Sequence, residues 1–329
     1  MGRNNAKNKL VREAVWKFNQ FPSRSIARYI LAEYGGLFNN SLDNALCAVR
    51  YVRGKKKGGS DKFTPDNRVI SPPDNIQIPE TWRRIDIPYQ LGEGKWLILA
   101  DAHIPFHERK PLEEAIKYGK KISCTGIFMN GDMQDCQAVS YWPSVIRKNF
   151  MGEVNAVVEF FAYLKQQFPK RKKVYKPGNH EYRLPRFYAA QCPDLINSPL
   201  AAMESLLDFE RWGIEFLDYF QIVMAGKLPI LHGHEIRMIS RVVNPARGLA
   251  LKAKTWALCS HFHTTSEHTG TNLKGEYLTT WSTGCLCDLH PEFCKYGNDW
   301  NQGFAIIEVD RKGDFEVQNK RILPGGKVV

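Results

Sequence analysis

No stretch of the chain approaches the roughly 20 consecutive apolar residues that a membrane-spanning helix needs, although 43% of its 329 residues are hydrophobic. A membrane partner is therefore not expected. The start, MGRNNAKNKLVREAV, is basic but lacks an apolar core and a small-residue cleavage site, so it does not read as an export signal. The myristoylation pattern also fails, because Ala6 stands where Ser or Thr is required. Cysteine is sparse: eight thiols are scattered along the chain, which suits reduced side chains in a cytoplasmic protein rather than a disulfide framework. Only Cys285, Cys287 and Cys294 cluster. Their C-x-C spacing is not that of a zinc ribbon and no fourth cysteine follows, so they read as buried or half-buried thiols. No repeat of fixed period and no long low-complexity tract is present.

Acidic residues are scarce in one place. Residues 1–63 hold 13 Lys and Arg against 4 Asp and Glu, whereas the other 266 residues hold 33 against 30. Most of the formal net charge of +12 thus belongs to the first fifth of the chain, and an anionic partner is expected there.

That basic segment has helical periodicity. Val11, Ala14, Val15 and Phe18 keep the i, i+3, i+4, i+7 spacing, and Ala27, Ile30, Leu31 and Tyr34 repeat it. Leu42, Ala45, Leu46, Val49 and Val52 form a third apolar stripe, with Ser41 as N-cap and Gly54 as the C-terminal stop. Gly35 and Gly36 separate the second helix from the third. A basic three-helix module is expected over 1–54, followed by a Lys/Gly/Pro/Asp-rich linker over 55–80.

From about residue 91 strands alternate with helical patterns. KWLILADAH, GIFMNGD and KKVYKPGNH each end an apolar run in polar residues, with helical stretches at 108–122 and 151–168. After residue 213 short strands follow in quick succession, through IEFL, FQIVMA, LPIL, TWALC, EYLTTWS, FAIIEV and FEVQN. A layered α/β domain over 81–329 is expected, with a more antiparallel second half.

The strand ends carry the chemistry. They offer Asp101 and His103, Asp132 and Asp135, Asn179 and His180, His232 and His234, and His261 and His263. Singly, each has an ordinary explanation as a cap, a turn or a satisfied histidine. Together they place oxygen and nitrogen donors suited to divalent metals where open α/β sheets form their ligand crevice, beyond the carboxyl ends of strands.

D-x-H (101–103), G-D-x-x-D (131–135), G-N-H-E (178–181), H-G-H (232–234) and the closing x-H-x-H (260–263) resemble the calcineurin-like metallophosphoesterases in order and separation. The resemblance spans roughly 94–310. One departure is Ser260, where that family usually has Gly; a small backbone adjustment is expected.

The resemblance implies an αββα sandwich of two mixed sheets flanked by helices, around a dinuclear centre. Asp101, His103 and His263 would hold one divalent ion and Asn179, His232 and His261 the other, with Asp132 between them. Manganese is the first expectation, with iron, zinc, nickel or cobalt as alternatives. His180 would act without ligating, as general acid or transition-state stabiliser, with Glu181 beside it to keep it charged. Asp135, Glu181 and His234 would orient the ligands.

The substrate class is left open by the resemblance. The three helices resemble a helix-turn-helix, and Arg50, Arg53, Lys55, Lys56 and Lys57 are the expected nucleic-acid contacts, with Arg24 and Arg28 on the second helix. A nuclease or end phosphatase acting on DNA or RNA is therefore the leading expectation. The alternatives are a phosphatase or phosphodiesterase for nucleotides or phosphoproteins that docks through the helices, and a non-catalytic DNA-binding protein. Trp256, Tyr277, Trp281 and Trp300 read as core first and as a base-stacking wall second.

Overall fold

The computed structural model describes residues 2–19, 21–53, 87–142, 144–145, 149–196, 198, 202–236, 243–292, 294 and 296–329. Two compact units divide at residue 82.

The first unit contains α1 (Gly2–Lys17), α2 (Ser23–Tyr34) and α3 (Leu42–Val52). Their apolar stripes share one core that includes Val11, Val15, Ile26, Ile30, Ala45 and Val49. Ser41 caps α3, its hydroxyl accepting from the Asn44 amide at 3.4 Å. Gly35 and Gly36 do more than separate helices. They open a single 3-10 turn that buries Phe38, and Asn39 and Asn40 then reverse the chain at positive φ. Arg53, one of the expected nucleic-acid contacts, is engaged within the unit. Its guanidinium donates to the carbonyls of Asn19 at 2.6 Å and Phe21 at 2.9 Å, and to the Ser23 hydroxyl at 3.2 Å. The side chain thereby ties the end of α3 to the turn between α1 and α2. Arg24, Arg28 and Arg50 remain exposed. Lys55, Lys56, Lys57 and the expected linker lie outside the described residues.

The second unit runs β1 (Tyr89–Gln90), β2 (Gly94–Leu99), α4 (Arg109–Lys121), β3 (Gly126–Asn130), α5 (Phe150–Gln167) and β4 (Lys172–Lys176). It continues through α6 (Arg183–Gln191), α7 (Met203–Leu207), α8 (Phe209–Trp212), β5 (Ile214–Phe216), β6 (Val223–Ala225), β7 (Leu228–Ile230) and α9 (Pro245–Ala253). The closing strands are β8 (Ala257–Cys259), β9 (Ser266–Thr271), β10 (Tyr277–Ser282), β11 (Gly303–Val309) and β12 (Phe315–Arg321). One six-stranded sheet has the order β12-β11-β2-β3-β4-β5 and the other β1-β6-β7-β8-β10-β9.

Side-chain alternation assembles the layers. On β2, Leu97 and Leu99 join Ile127 and Met129 of β3 under α4 and α5, with Leu112, Ile116, Phe161 and Leu164. Trp96 and Ile98 point the other way and meet Phe128, Val174, Leu228, Ile230 and Leu258 between the sheets. Leu249 of α9 covers Ala257 and Cys259 on the far face of the second sheet. The result is the αββα sandwich of two mixed sheets that the resemblance implied. Strand β9 (SEHTGT) escaped the sequence reading because its alternation is between half-buried and exposed positions, so it lacks an apolar signal.

Candidate metal centre

Five strands in two sheets deliver the polar residues to one place. β2, β3 and β4 are mutually parallel, as are β7 and β8. Asp101 and His103, Asp132 and Asp135, Asn179 and His180, His232, and His261 and His263 follow their carboxyl ends. The loops are stitched together by backbone: Asp101 donates to the Gly131 carbonyl at 3.1 Å, His103 to that of Asp132 at 2.9 Å, and Ser260 to that of His232 at 2.8 Å.

Local backbone geometry is strained here. Asp101, His103, Asp132, His261 and His263 all have φ between 49° and 69°. Each such non-glycine residue costs on the order of 1 kcal/mol, and the surrounding hydrogen bonds hold them. Two glycines are required by close approach. A Cβ on Gly178 would fall 2.3 Å from Asp132 Oδ1 and 2.9 Å from His232 Nε2, and one on Gly131 would fall 2.4 Å from His232 Nδ1.

The donors form two adjoining sets. His103 Nε2 lies 3.3 Å from His263 Nε2, which is 3.5 Å from Asp101 Oδ1; Asp132 Oδ2 is 3.9 Å from His103 Nε2. On the other side His232 Nε2 is 3.1 Å from the same Asp132 oxygen and 3.2 Å from Asn179 Oδ1. His261 completes a set with Asp132 and His232, with ligand atoms all within 4.8 Å of one another. Each carboxylate divides its work. Asp101 Oδ2 accepts from the His261 amide at 3.0 Å, while Oδ1 is buried without a hydrogen-bond partner. Asp132 Oδ1 accepts from the His180 amide at 2.9 Å, leaving Oδ2 facing both sets.

The imidazoles are oriented from behind. His232 Nδ1 contacts the Asn130 carbonyl at 2.7 Å, His103 Nδ1 the Asp135 carboxylate at 2.8 Å, and His263 Nδ1 the Cys287 sulfur at 3.9 Å. In the neutral ring a proton on Nδ1 leaves the Nε2 lone pair aimed into the cluster, the form that a cation would select. Burial opposes ionisation of both aspartates. The neighbouring imidazoles outweigh it, through His263 for Asp101 and His232 for Asp132, and hold both carboxyls below their usual range. Burial likewise opposes the His232 cation, but Asp132 and Asp101 pull that imidazole up to about 10. His261, buried and facing His232, is pushed down to about 4. Two buried carboxylates therefore demand compensating positive charge. An unpartnered Asp101 oxygen, a shared Asp132 oxygen and inward Nε2 atoms fit a pair of divalent cations.

Glu181 differs from its expected role of keeping His180 charged. Its side chain turns away from the imidazole and accepts from the amides of Asp132 (3.0 Å), Met133 (2.8 Å), Gln134 (3.0 Å) and Gly178 (2.8 Å) and from the Tyr175 hydroxyl (2.6 Å). It is the buried anchor of the Asp132 loop. His180 instead contacts Asp135 through Nδ1, at 3.0 Å from Oδ1. Arg183 donates to His180 Nε2 at 3.0 Å and to the Asp135 carbonyl at 2.9 Å. His180 also stands within reach of the set His103 and Asp132. Because a guanidinium only donates, His180 Nε2 accepts in this arrangement and its lone pair is already engaged. His234 lies against His232 and His261, with its Nδ1 3.5 Å from Glu235 and no hydrogen bond to either ring nitrogen.

Sequence reading passed over Arg183, Glu235 and Lys176, and took Cys287 only as a thiol of the buried or half-buried kind. Glu235 accepts from the amides of His232 at 3.1 Å and Gly233 at 2.7 Å and pairs with Lys176, which has no exposed side-chain surface. A lysine ending an otherwise buried strand was the available signal. Ser260 is accommodated by use of its hydroxyl, which accepts from Asn130 Nδ2 and from Thr283 Oγ1, both at 3.0 Å. Of the four aromatics, Trp281 is buried and donates to Glu267, Trp256 packs on Phe315, and Tyr277 is exposed on β10. Trp300 alone meets the cluster, 4.2 Å from the His263 ring.

No family model matches the chain. It is 24% identical over 227 residues to the Gene 54 protein of Mycobacterium phage L5, covering 65% of this chain and 88% of that protein. Among solved structures it is similar to wild-type Vps29 complexed with zinc from Entamoeba histolytica, at 11% identity and a TM-score of 0.36 over 71% of this chain and 96% of that one. YfcE, a phosphoesterase from E. coli, gives 12% and 0.32 over 68% and 98%. A dimetal phosphatase from Danio rerio gives 10% and 0.35 over 66% and 93%.

Proposed function

We propose that the chain is a divalent-metal-dependent phosphoesterase acting on nucleic acid, as a nuclease or an end phosphatase. The observation that carries the reading is the division of labour in Asp101 and Asp132. Each spends one oxygen on a backbone amide and turns the other toward a ring of imidazole Nε2 atoms. Asp101, His103 and His263 would hold one ion, Asn179, His232 and His261 the second, with Asp132 Oδ2 shared. A bound pair of cations would neutralise a phosphoester and supply hydroxide at neutral pH.

The remaining work falls to the chain's own side chains. His180 and Arg183 stand side by side at the edge of the donor sets, both fixed by Asp135. Arg183 can present N–H groups to a phosphoryl oxygen, a bidentate partner that suits phosphate. When substrate draws the guanidinium away, His180 Nε2 would be released to take a proton from solvent water and pass it to the departing alkoxide, while Asp135 keeps the ring in place.

The nucleic-acid assignment draws on the basic first unit, whose Arg24, Arg28 and Arg50 are exposed. A second reading, docking of a protein substrate through that unit, draws on its exposed Trp16 (75%) and Tyr51 (46%). The test is a panel with added Mn²⁺ comparing single-stranded DNA, duplex DNA, RNA, nucleotides, a phosphopeptide and bis-p-nitrophenyl phosphate. Turnover of the polynucleotides above all others is expected. Preference for phosphopeptide moves the docking reading ahead, and no metal-dependent turnover of any member overturns the enzyme.

A further inference from the structure

Two loops leave the His103–His263 side of the cluster and carry large aromatic side chains into solvent. The first begins at Asp135, which holds His103 and His180. It passes through a single turn whose Gln137 and Ala138 amides donate to Glu153 at 3.1 and 3.0 Å, then reaches Tyr141, Trp142 and Val145. These three are 90%, 72% and 92% exposed, and the Tyr141 and Trp142 rings meet edge to face at 5.8 Å. The second loop runs from Cys287, behind His263, to Trp300, against the same imidazole, and displays Tyr296 at 90% exposure. Glu292 on the second loop ties the two together, accepting from the Ser144 hydroxyl at 2.8 Å and the Val145 amide at 3.0 Å. Asn298 braces the second loop by donating to the Leu289 carbonyl at 2.8 Å. The aromatic groups thus sit on a rim of two loops tied together by Glu292 and joined along the chain to Asp135 and Cys287.

We propose that this rim, through Tyr141 and Trp142 above all, stacks the bases of an unpaired nucleic-acid strand whose phosphodiester lies at the metal centre; the proposal rests on the phosphoesterase reading. Flat rings with a polar tip, held in water, are suited to partners that are themselves flat and amphipathic. In a polynucleotide every phosphodiester has such a group on either side, so a strand that seats one phosphate brings bases to the rim. In a duplex those faces are covered by neighbouring bases, whereas an unpaired strand exposes them. A phosphoprotein offers one phosphate on a flexible stem, with no regular planar neighbour. Stacking tolerates any base, because every base has a π face, so the strand would be held without sequence preference.

The experiment compares a labelled oligothymidylate with an abasic oligomer of equal length, which keeps the phosphates and lacks the bases. Both are titrated against the full chain as purified, on ice, by fluorescence anisotropy, with integrity of the oligomers verified on a gel afterwards. Wild type is expected to bind the base-bearing strand at least about tenfold more tightly, since each stacked base contributes about that factor or more. Tyr141→Ala with Trp142→Ala should erase the difference while leaving abasic binding unchanged, and Trp142→Phe should keep most of it. Equal binding of the two oligomers by wild type overturns the proposal. So does a double variant that loses both affinities together, or one whose mass by light scattering shows the rim to be a contact between copies. Hydrolysis of bis-p-nitrophenyl phosphate by wild type separates the failures: turnover without base preference removes the stacking rim alone, and absence of turnover removes the phosphoesterase reading beneath it.

Discussion

The two units of this chain handle polar groups in opposite ways. In residues 83–329 the groups that matter are buried, few and fixed: Asp101, Asp132, Glu181 and His232 have almost no exposed surface, and each is held by named partners. Among the described residues of 1–53 the apolar side chains make the core and the charged ones are exposed, apart from the half-buried Lys7 and Arg53. A buried donor set gains its strength from low dielectric and from restraint, and it fails when one partner is removed. A basic surface works through the sum of screened charges, so the loss of any one matters little. The lesson is that site residues of the first kind can be tested singly, whereas those of the second kind must be tested in groups.

The sharpest break in that contrast is Asp132→Asn. One oxygen of Asp132 faces both donor sets, so occupancy of both ions should drop and turnover should fall by roughly 10³-fold or more. Metal analysis and kcat on bis-p-nitrophenyl phosphate check this; a fully loaded, fully active variant contradicts the shared-ligand assignment. His180→Ala comes next. If it protonates the leaving group, the loss should be about 10²- to 10⁴-fold for an alkoxide and much smaller for p-nitrophenolate, with metal content near wild type. Equal losses on both substrates place its contribution in stabilising the phosphoryl group.

Lys176→Met probes the fold beneath the site. It leaves the half-buried Glu235 with its two amide donors but without its cation, which should cost up to about 3–5 kcal/mol of stability, read from denaturant unfolding. Adding Glu235→Gln should restore part of that loss. If the single change is harmless, the pair does not brace the His232 loop. The smallest effect belongs to the surface unit. Removing residues 1–80 should leave metal content unaltered, because each proposed ligand lies at Asp101 or beyond. Duplex DNA binding should weaken about tenfold at moderate salt with a flatter salt dependence, as fewer counterions are released. Anisotropy titrations at several salt concentrations decide it, and equal slopes would mean that the helices do not touch nucleic acid.

Much of the sandwich was legible along the chain because its information is local. β2 and β3 show as apolar runs that end in polar residues, and the helical patterns of α3 and α4 repeat with their own period. Asp101, His103, Asp132, Asn179, His232, His261 and His263 were visible for the same reason, each standing where an apolar run stops. What each side chain does after the strand ends depends on neighbours far away in sequence. Glu181 adjoins His180 yet serves the amides of residues 132–134, because successive residues in a tight turn point apart. Lys176 finds Glu235 59 positions on, Cys287 reaches His263, and Arg53 turns back to Asn19 and Phe21. Period and composition determined which residues would be buried and where the polar ones would gather. Only packing of the two sheets decided which carboxylate oxygen meets an amide and which is left for a cation, since a hydrogen bond selects its partner by distance and angle in space.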